Sequence, residues 1–357
     1  MTPETPPLGG VFELDLATVL ETPEAPPRFP DAQSVTSGRT ALALVVEQLG
    51  DGAWLLPAYL CDSVLQPLRA ARIAFDFYSV GGDLRPRLDE LERAVEEQRP
   101  TAVLVIDYFG FPPDEADRLR ALRAACTVVE DAVQGSWLEL PDAAAGGIGD
   151  VVFTSFRKYL PVPDGGIVRG VQPRELPSAT GESVRTRLLG QLLRGAALAG
   201  NVGGDDVEPV FLRLLERGES ALDAELPLEA TSAVSERLLA SLDLAEAAKR
   251  RRANFAALVA ALDGIDAVTP LVRELRPGVS PLVLPVRIGG GRRDDVRQKL
   301  IRRRIFCPVH WPLPPEIERE RFRDEHELAD EMLGLPLDQR YEPADMERLA
   351  EHLRTSL

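Results

Sequence analysis

Lysine is rare in this chain, and one lysine stands where an amine could do chemistry. Of the 41 basic side chains only three are lysines: Lys158, Lys249 and Lys299. Lys158 lies between an apolar, strand-like run and a Pro/Gly-rich turn that ends at Gly165 and Gly166. An arginine guanidinium stays protonated, whereas a lysine amine can be tuned toward neutrality and act as a nucleophile. The position of Lys158 therefore indicates Schiff-base chemistry.

Other polar residues could serve the same chemistry. Asp131 ends an apolar run, and Gln134 follows it by three residues. Pyridoxal phosphate is an electron sink when its ring nitrogen is held protonated, which a buried carboxylate can do. The turn 37–40, with Gly38, Arg39 and Thr40, opens a predicted helix whose free N–H groups could bind a phosphate. Ser155, three residues before Lys158, could complete that phosphate site.

Each of these residues also has an ordinary structural interpretation. A lysine at the end of a strand commonly extends to solvent. An acid such as Asp131 commonly caps the helix that follows its strand. Ser155 could be a simple strand-end hydroxyl. Only the combination of these residues in one chain favours the cofactor hypothesis.

The elements that must position these residues alternate along the chain. The apolar runs at 53–56, 73–78, 101–108, 127–131, 150–155 and 166–169 predict strands. The periodicity at 37–49, 62–71, 88–98 and 114–125 predicts helices between them. Such alternation indicates an α/β fold with a mostly parallel sheet and helices on both faces. Ligands in such sheets bind beyond the carboxyl ends of the strands, where Asp131 and Lys158 lie.

The length of 357 residues suggests two domains. We predict a loosely ordered arm at 1–33, a large cofactor-binding domain at 34–245 and a small C-terminal α/β domain at 246–357. Residues 171–230 look helical and contain no motif that we can interpret. Residues 232–262 predict one long helix or a bent pair.

Composition excludes several functions. A net charge of −16 argues against general affinity for nucleic acid or for anionic lipid. The first residues do not resemble a signal peptide, and no stretch is long and apolar enough to span a membrane. The three cysteines and three histidines show no metal-ligand spacing. We expect a cytoplasmic enzyme without a metal.

The chain resembles the DegT/DnrJ/EryC1/StrS-type aminotransferases, which have the fold type I architecture of pyridoxal-phosphate enzymes. The resemblance spans roughly residues 34–350. Four segments that carry it occur in the family's order, at 37–42, 105–114, 129–134 and 155–166. The second and third of these resemble an aromatic-Gly-x-Pro segment and a Glu-Asp-x-x-Gln/His motif, and the fourth a Ser-Phe-Lys segment that ends in Gly-Gly.

The resemblance implies a role for each matched residue. Lys158 would form the Schiff base with pyridoxal 5′-phosphate and carry protons, Asp131 would pair with the pyridine nitrogen, and Gln134 would contact the ring. The turn with Gly38, Arg39 and Thr40, together with Ser155, would hold the phosphate. Tyr59 is the candidate for stacking on the ring, with Cys61 as the alternative. A homodimer with shared active sites, an amino-acid donor and a nucleotide-linked keto-sugar acceptor would follow.

The chain departs from the family at two places. Lys158 follows Ser155 by three positions, where many members have a gap of five. The family's Asn-Tyr-Arg-type segment, which reaches the partner's cofactor, is not recognisable, and 226–235 stands in its place. Two other functions stay open: a pyridoxal-phosphate-dependent lyase or desulfurase, and a non-catalytic binding or regulatory protein that keeps the fold.

Overall fold

The computed structural model describes residues 6–135, 138, 147–204, 206–224 and 226–357. Its strands are β1 Leu8–Gly9, β2 Gln33–Val35, β3 Trp54–Pro57, β4 Phe75–Tyr78, β5 Ala102–Ile106, β6 Thr127–Asp131, β7 Val151–Phe153, β8 Gly166–Arg169, β9 Thr269–Pro270, β10 Val283–Arg287, β11 Ile305–Phe306 and β12 Met332–Pro336. Its α-helices are α1 Leu16–Glu21, α2 Gly38–Leu49, α3 Asp62–Ala71, α4 Leu88–Gln98, α5 Ala116–Ala121, α6 Glu182–Leu198, α7 Val207–Ala224, α8 Ala233–Ser241, α9 Leu244–Ala261, α10 Arg293–Arg302, α11 Arg323–Glu331 and α12 Pro343–Arg354. Short 3-10 helices cover Leu122–Ala124 and Phe156–Lys158.

A seven-stranded sheet forms the centre of the fold, in the order β2-β8-β7-β6-β5-β3-β4. Strands β4, β3, β5, β6 and β7 pair in parallel, whereas β8 pairs antiparallel with both β7 and β2. Every residue of β3 and β5 is buried, as expected for strands covered on both faces. The predicted mostly parallel α/β sheet is therefore confirmed.

The sheet collects the candidate residues at one edge. Strands β5, β6 and β7 run in the same direction, so their carboxyl ends meet there. Asp107 follows β5, Asp131 ends β6, and Ser155 and Lys158 follow β7. Strand β2 has the same direction as β7, because both are antiparallel to β8, and it leads into α2 at Gly38. This edge is the ligand position that an open α/β sheet predicts.

A second hydrophobic cluster contains most of the apolar residues after α9. Its sheet has the order β12-β10-β9 with antiparallel pairing, and α9, α10 and α12 pack there. The helix α9 belongs to both clusters: Leu244 and Ala248 pack in the large cluster, whereas Phe255 and Leu258 pack in the second. The predicted boundary at 245/246 falls at the start of this shared helix, and it stays a prediction.

The described part of the predicted arm, residues 6–33, packs against the rest of the chain at a few apolar positions, whereas residues 23–27 are exposed. Residues 1–5 lie outside the described residues, and the arm stays a prediction. Leu8 is fully buried and pairs with Ile305 through β1 and β11. Phe29 is buried and stacks on Phe156 at 5.6 Å between ring centroids. The Pro- and Thr-rich composition concealed these few apolar anchors.

The predicted helices are present with small changes of boundary. The region 232–262 is a pair of helices, α8 and α9, which is one of the two predicted forms. The helical stretch before it resolves into α6 and α7, which pack against each other. Among the described helices, none is both long and apolar enough to cross a membrane.

Candidate active site

A cavity of about 640 Å³ opens at the carboxyl edge of the seven-stranded sheet. Six of the eight residues predicted for the site line it: Gly38, Arg39, Asp131, Gln134, Ser155 and Lys158. Residues from α6, α7, the N-terminal segment and the second cluster complete the wall. The structure thus brings together residues that are 120 positions apart in sequence.

Lys158 ends the 3-10 helix that follows β7. Its neighbour Tyr159 is fully buried, donates a hydrogen bond to the Gln134 carbonyl at 2.8 Å, and lies 4.7 Å below the guanidinium of Arg251. The Lys158 side chain is exposed, but the space around it is the cavity. Within the described part of the chain its amine makes no hydrogen bond or ion pair. Lys158 is therefore anchored by its backbone neighbours and free at its reactive end.

The electrostatic surroundings of Lys158 favour a neutral amine. Burial by the surrounding protein is the largest influence and lowers the pKa of Lys158 below its usual value. Cys61 and Glu219 oppose this change, and the nearby cation Arg157 reinforces it. A lysine amine with a lowered pKa is the form that attacks a carbonyl carbon.

The Gly165-Gly166 turn sets the backbone of the lysine segment. Gly165 has φ +110°, which favours glycine. The Phe156 N–H donates to the Gly165 carbonyl at 2.9 Å, and a Cβ on Gly166 would lie 2.2 Å from the Thr154 carbonyl oxygen. Two backbone segments therefore approach each other closely at this turn, which leaves no room for a side chain at Gly166.

One carboxylate oxygen of Asp131 holds the local backbone, and the other is available for a ligand. Its Oδ1 accepts a hydrogen bond from the Val133 N–H at 2.9 Å, which holds the turn after β6. Its Oδ2 has no hydrogen-bond partner among the described residues. Burial raises the pKa of Asp131 to about 7, although the Val133 N–H and the charge of Lys158 both lower it. A cationic N–H placed in the cavity would stabilise the ionised carboxylate.

Gln134 also carries an unused polar group. Its Oε1 accepts a hydrogen bond from the Phe109 N–H at 3.3 Å, and its buried Nε2 has no hydrogen-bond partner within the described part of the chain. A buried amide donor without a partner is costly, so a native protein commonly satisfies it with a ligand or water. Gln134 can therefore donate to an oxygen of a bound ring.

The start of α2 has the geometry of an anion site. Ser37 caps the helix, and its Oγ accepts from the Thr40 N–H at 3.2 Å. At Gly38 a Cβ would meet the Val133 side chain at 2.6 Å, so the helix start packs directly on the Asp131 turn. Thr40 is fully buried, and its Oγ1 lies 3.1 Å from Ser37 Oγ. Thr40 is not among the described cavity-lining residues, whereas Ser37 is.

Arg39 and Ser155 flank this helix start. The Arg39 guanidinium forms ion pairs with Glu219, at 3.6 Å, and with Asp223. Ser155 lines the cavity, and its hydroxyl makes no hydrogen bond within the described chain. Both residues are therefore placed to contact an anion at the start of α2.

Tyr59 has a different environment from the one its predicted stacking role requires. It is fully buried, donates its hydroxyl to the His310 carbonyl, and packs 5.5 Å from Trp311 between ring centroids. It is absent from the described cavity wall, and Cys61, the alternative, is present there. The geometry favours Cys61 as the residue that faces a bound ring.

Several cavity residues belong to no motif of the sequence and were not predicted for the site. Arg157, Arg187, Glu219 and His310 all line the cavity. Burial lowers the pKa of His310 to about 3, the charge of Lys158 contributing, so the ring is neutral. Arg187 and Glu219 lie on α6 and α7, whose pairing brings them to the site. Only the packed structure reveals that these two helices reach the cavity.

Comparison with known proteins identifies the fold. No protein-family model and no curated protein matches the chain in sequence. Solved structures do match it: Spr1654 from Streptococcus pneumoniae in its PMP form has a TM-score of 0.69 at 15% identity, over 98% of this chain and 97% of that one. This chain has the fold of the pyridoxal-phosphate-dependent aminotransferases.

Two further solved structures have a similar fold. DesV from S. venezuelae, in complex with a ketimine intermediate, has a TM-score of 0.60 at 22% identity, over 98% of this chain and 90% of that one. A DegT DnrJ EryC1 StrS aminotransferase from Brucella abortus has a TM-score of 0.61 at 17% identity, over 91% of this chain and 85% of that one. Both are similar over nearly their whole length, as the sequence resemblance predicted.

Proposed function

We propose that this protein is a pyridoxal 5′-phosphate-dependent aminotransferase, which moves an amino group from an amino acid to a keto acceptor. The observation that carries the proposal is one cavity that holds both the amine of Lys158 and the Oδ2 of Asp131, neither of which has a hydrogen-bond partner among the described residues. The similar solved structures support it, because they include aminotransferases in PMP and PLP forms.

The residues of the cavity fit this cofactor. Asp131 offers a buried carboxylate for the pyridine N–H, and Gln134 offers for a ring oxygen an Nε2 that no described residue binds. Ser37, Gly38 and Ser155 provide hydroxyl and backbone groups at a helix start, where a phosphate is favoured. Lys158 lines the same cavity and provides an amine that no described residue binds.

The cofactor, when bound, withdraws electrons from the substrate carbon that loses or gains a proton. The chain's residues do the rest. Asp131 holds a proton on the ring nitrogen, and the lowered pKa of Lys158 allows its Nζ to take up and return a proton at that carbon. His310, neutral and aromatic, contributes a wall of the cavity.

The acceptor that we propose is a keto-sugar linked to a nucleotide. The support is the structural likeness to DesI, solved with its TDP-sugar product, at a TM-score of 0.61 and 18% identity. The cavity of about 640 Å³ is within the usual size of small-molecule sites. Screening the amine-loaded enzyme against nucleotide-linked keto-sugars and simple keto-acids would separate this acceptor class from a keto-acid.

A second function has one observation in its favour. Cys61 lines the cavity with Lys158, so a lyase or desulfurase that handles sulfur could use its thiol. A Cys61→Ser variant that keeps full transamination activity would remove this alternative. A non-catalytic protein with the same fold would bind the cofactor without bonding it to Lys158.

Cofactor attachment is the direct test of the proposal. Wild type loaded with pyridoxal 5′-phosphate should be yellow, and borohydride reduction should fix the cofactor's mass on the peptide that contains Lys158. Lys158→Ala should lose the band and lower kcat on the order of a thousandfold or more. Lys249→Ala, whose side chain is 74% exposed, is the matched control and should behave as wild type. A colourless wild type that cannot be loaded would contradict the proposal.

The proposal includes a cytoplasmic homodimer. All three cysteines, Cys61, Cys126 and Cys307, are free, which suits a reducing compartment. Light scattering of the loaded enzyme should give twice the 39.0 kDa chain mass. A fully active monomer would contradict the dimer and leave the chemistry unaffected.

A further inference from the structure

A carboxylate of the chain itself is bound by three arginines in the cavity wall. Glu219, on α7, pairs through Oε1 with Nη1 of Arg157 and Nη1 of Arg187, and through Oε2 with Arg39 at 3.6 Å. All four side chains line the cavity. Neither the sequence motifs nor the proposed chemistry assigns a role to Glu219, Arg157 or Arg187.

The carboxylate of Glu219 lies where the sequence predicted a phosphate. Arg39 belongs to the first turn of α2, directly after Gly38. Arg157 lies between Ser155 and Lys158 in the 3-10 helix. Because Glu219 contacts both arginines, its carboxylate lies between the start of α2 and the lysine segment.

Three arginines share the carboxylate of Glu219 in this cluster. Arg157 and Arg187 both pair with its Oε1, whereas Arg39 pairs with its Oε2 and with Asp223. Asp164 also acts on Arg157 and Arg187 through its charge, but its oxygens bind Ser232 and Ser235. The buried Nε of Arg157 has no hydrogen-bond partner within the described part of the chain. A phosphate, with three terminal oxygens, offers these guanidiniums more acceptors than the single carboxylate of Glu219 does.

The carboxylate of Glu219 is also able to move away from the three arginines. Burial raises the pKa of Glu219, but the Arg157 and Arg187 guanidiniums outweigh it and hold the carboxyl well below its usual range, so it is ionised. Although protein surrounds it, 41% of its side-chain surface is accessible because it borders the cavity. Rotation about its side-chain bonds can therefore withdraw the carboxylate without unfolding α7.

We propose that Glu219 is an exchangeable internal counterion, and that a phosphate monoester replaces its carboxylate on Arg157 and Arg187. Under the proposed function, on which this inference rests, the monoester is the phosphate of the cofactor. The cations that hold the phosphate then come from this chain's own α6 and lysine segment. Arg187 keeps its hydrogen bond to the Pro163 carbonyl at 3.0 Å, and Arg39 keeps Asp223.

The test compares pyridoxal 5′-phosphate with pyridoxal, which differs only by the phosphate. Glu219→Gln keeps the size of the side chain and removes its charge. Relative to wild type, this variant should have a Kd for pyridoxal 5′-phosphate that is lower on the order of tenfold. Its Kd for pyridoxal should change less than about twofold, because only the phosphate competes with Glu219. Arg187→Gln should weaken the phosphate-bearing ligand alone, on the order of tenfold.

Asp223→Asn is the matched control. Asp223 lies four residues from Glu219 on α7, pairs with Arg39 alone in the described structure, and is absent from the described cavity wall. Its substitution should change either Kd less than about threefold. Unfolding midpoints without ligand show whether each variant is folded.

Inorganic phosphate separates this inference from the proposed function. It should raise the melting temperature of Glu219→Gln more than that of wild type, whether or not the cofactor bonds to Lys158. If the cofactor does not attach to Lys158 but phosphate still stabilises Glu219→Gln more than wild type, the proposed function is overturned and the exchange at Glu219 is not. The exchange is overturned if phosphate raises the melting temperatures of wild type and Glu219→Gln equally. It is also overturned if Glu219→Gln lowers Kd equally for pyridoxal and for pyridoxal 5′-phosphate.

Discussion

Burial raises the pKa of the Asp131 carboxyl to about 7, and no cation among the described residues forms an ion pair with it. Its unfolded pKa is about 3.9. A carboxyl whose pKa is raised on folding stabilises the fold only while it is protonated in both states. As pH rises from about 4 to above 7, the unfolded state gains by ionising first, and the cofactor-free protein loses stability.

Asp131→Asn should therefore stabilise the cofactor-free protein at pH 8 while it abolishes most activity. The gain should be roughly 2–4 kcal/mol above pH 7 and should vanish toward pH 4, where wild-type Asp131 is protonated in both states. Urea unfolding of both proteins at several pH values measures it. A gain that does not change with pH would show that burial of the charge is not its cause.

At the scale of single residues, the sequence predicts those with distinctive chemistry. Lys158, Asp131 and Gln134 are predictable because each lies at or just after the end of a strand and has a chemical reason to be there, and the structure places all three at one cavity. Tyr59 was chosen for its aromatic ring, yet the structure buries it beside Trp311. Nothing in a loop sequence shows which of two neighbours, Tyr59 or Cys61, turns toward a cavity.

Among the elements, the reversed strand β8 determines how the lysine segment is held. Because β8 pairs antiparallel with β7, the chain must return at Gly165 and Gly166 directly behind Lys158. The Gly166 position is too close to the Thr154 carbonyl for a side chain. The lysine segment thus depends on a backbone contact that one methyl group would disrupt.

Gly166→Ala should destabilise the protein by about 1–3 kcal/mol and displace the lysine segment. Gly181→Ala is the control, because a Cβ at Gly181 meets no atom within 4 Å. Urea denaturation gives the stability, and the rate of cofactor attachment reports on Lys158. An unchanged rate together with lower stability would mean that the strain relaxes away from the lysine.

Strands of the sheet were predictable because their apolar runs are continuous, and β6 and β8 match the predicted bounds. For α6 and α7, the sequence predicts helical structure but not that the two helices contribute residues to the cavity. Their role depends on Arg187 and Glu219 meeting across the helix pair, and no local pattern specifies which faces of two helices meet.

For the whole molecule, the N-terminal segment joins distant parts of the chain around the cavity. Gly9 and Gly10 line the cavity, β1 pairs with β11, and the Leu14 N–H donates to the Gln191 carbonyl on α6 at 3.1 Å. The Gly9 N–H donates to the Tyr341 hydroxyl at 2.6 Å. This part of the cavity wall therefore depends on contacts with both hydrophobic clusters.

Tyr341→Phe should cost about 1–3 kcal/mol, because it leaves the buried Gly9 N–H without an acceptor. Hydrogen exchange should increase at Gly9 and Gly10 ahead of the central strands. Tyr78→Phe, which removes a hydroxyl bonded to the Leu104 carbonyl in the central sheet, should leave exchange at Gly9 unchanged. Equal effects of both variants at Gly9 would contradict a local role for Tyr341.

The pairing of Leu8 with Ile305 has a consequence for the order of events during synthesis. A ribosome that adds about 5–20 residues per second needs roughly 15–60 s to travel from the first of these residues to the second. The last strand of the large sheet ends at Arg169, so for the remaining 136 residues (305 − 169), roughly 7–27 s, the sheet and Lys158 can already exist, but the wall that Gly9 and Gly10 provide cannot. The nascent chain therefore passes through a stage in which the amine of Lys158 is present but the cavity lacks the part of its wall that Gly9 and Gly10 form.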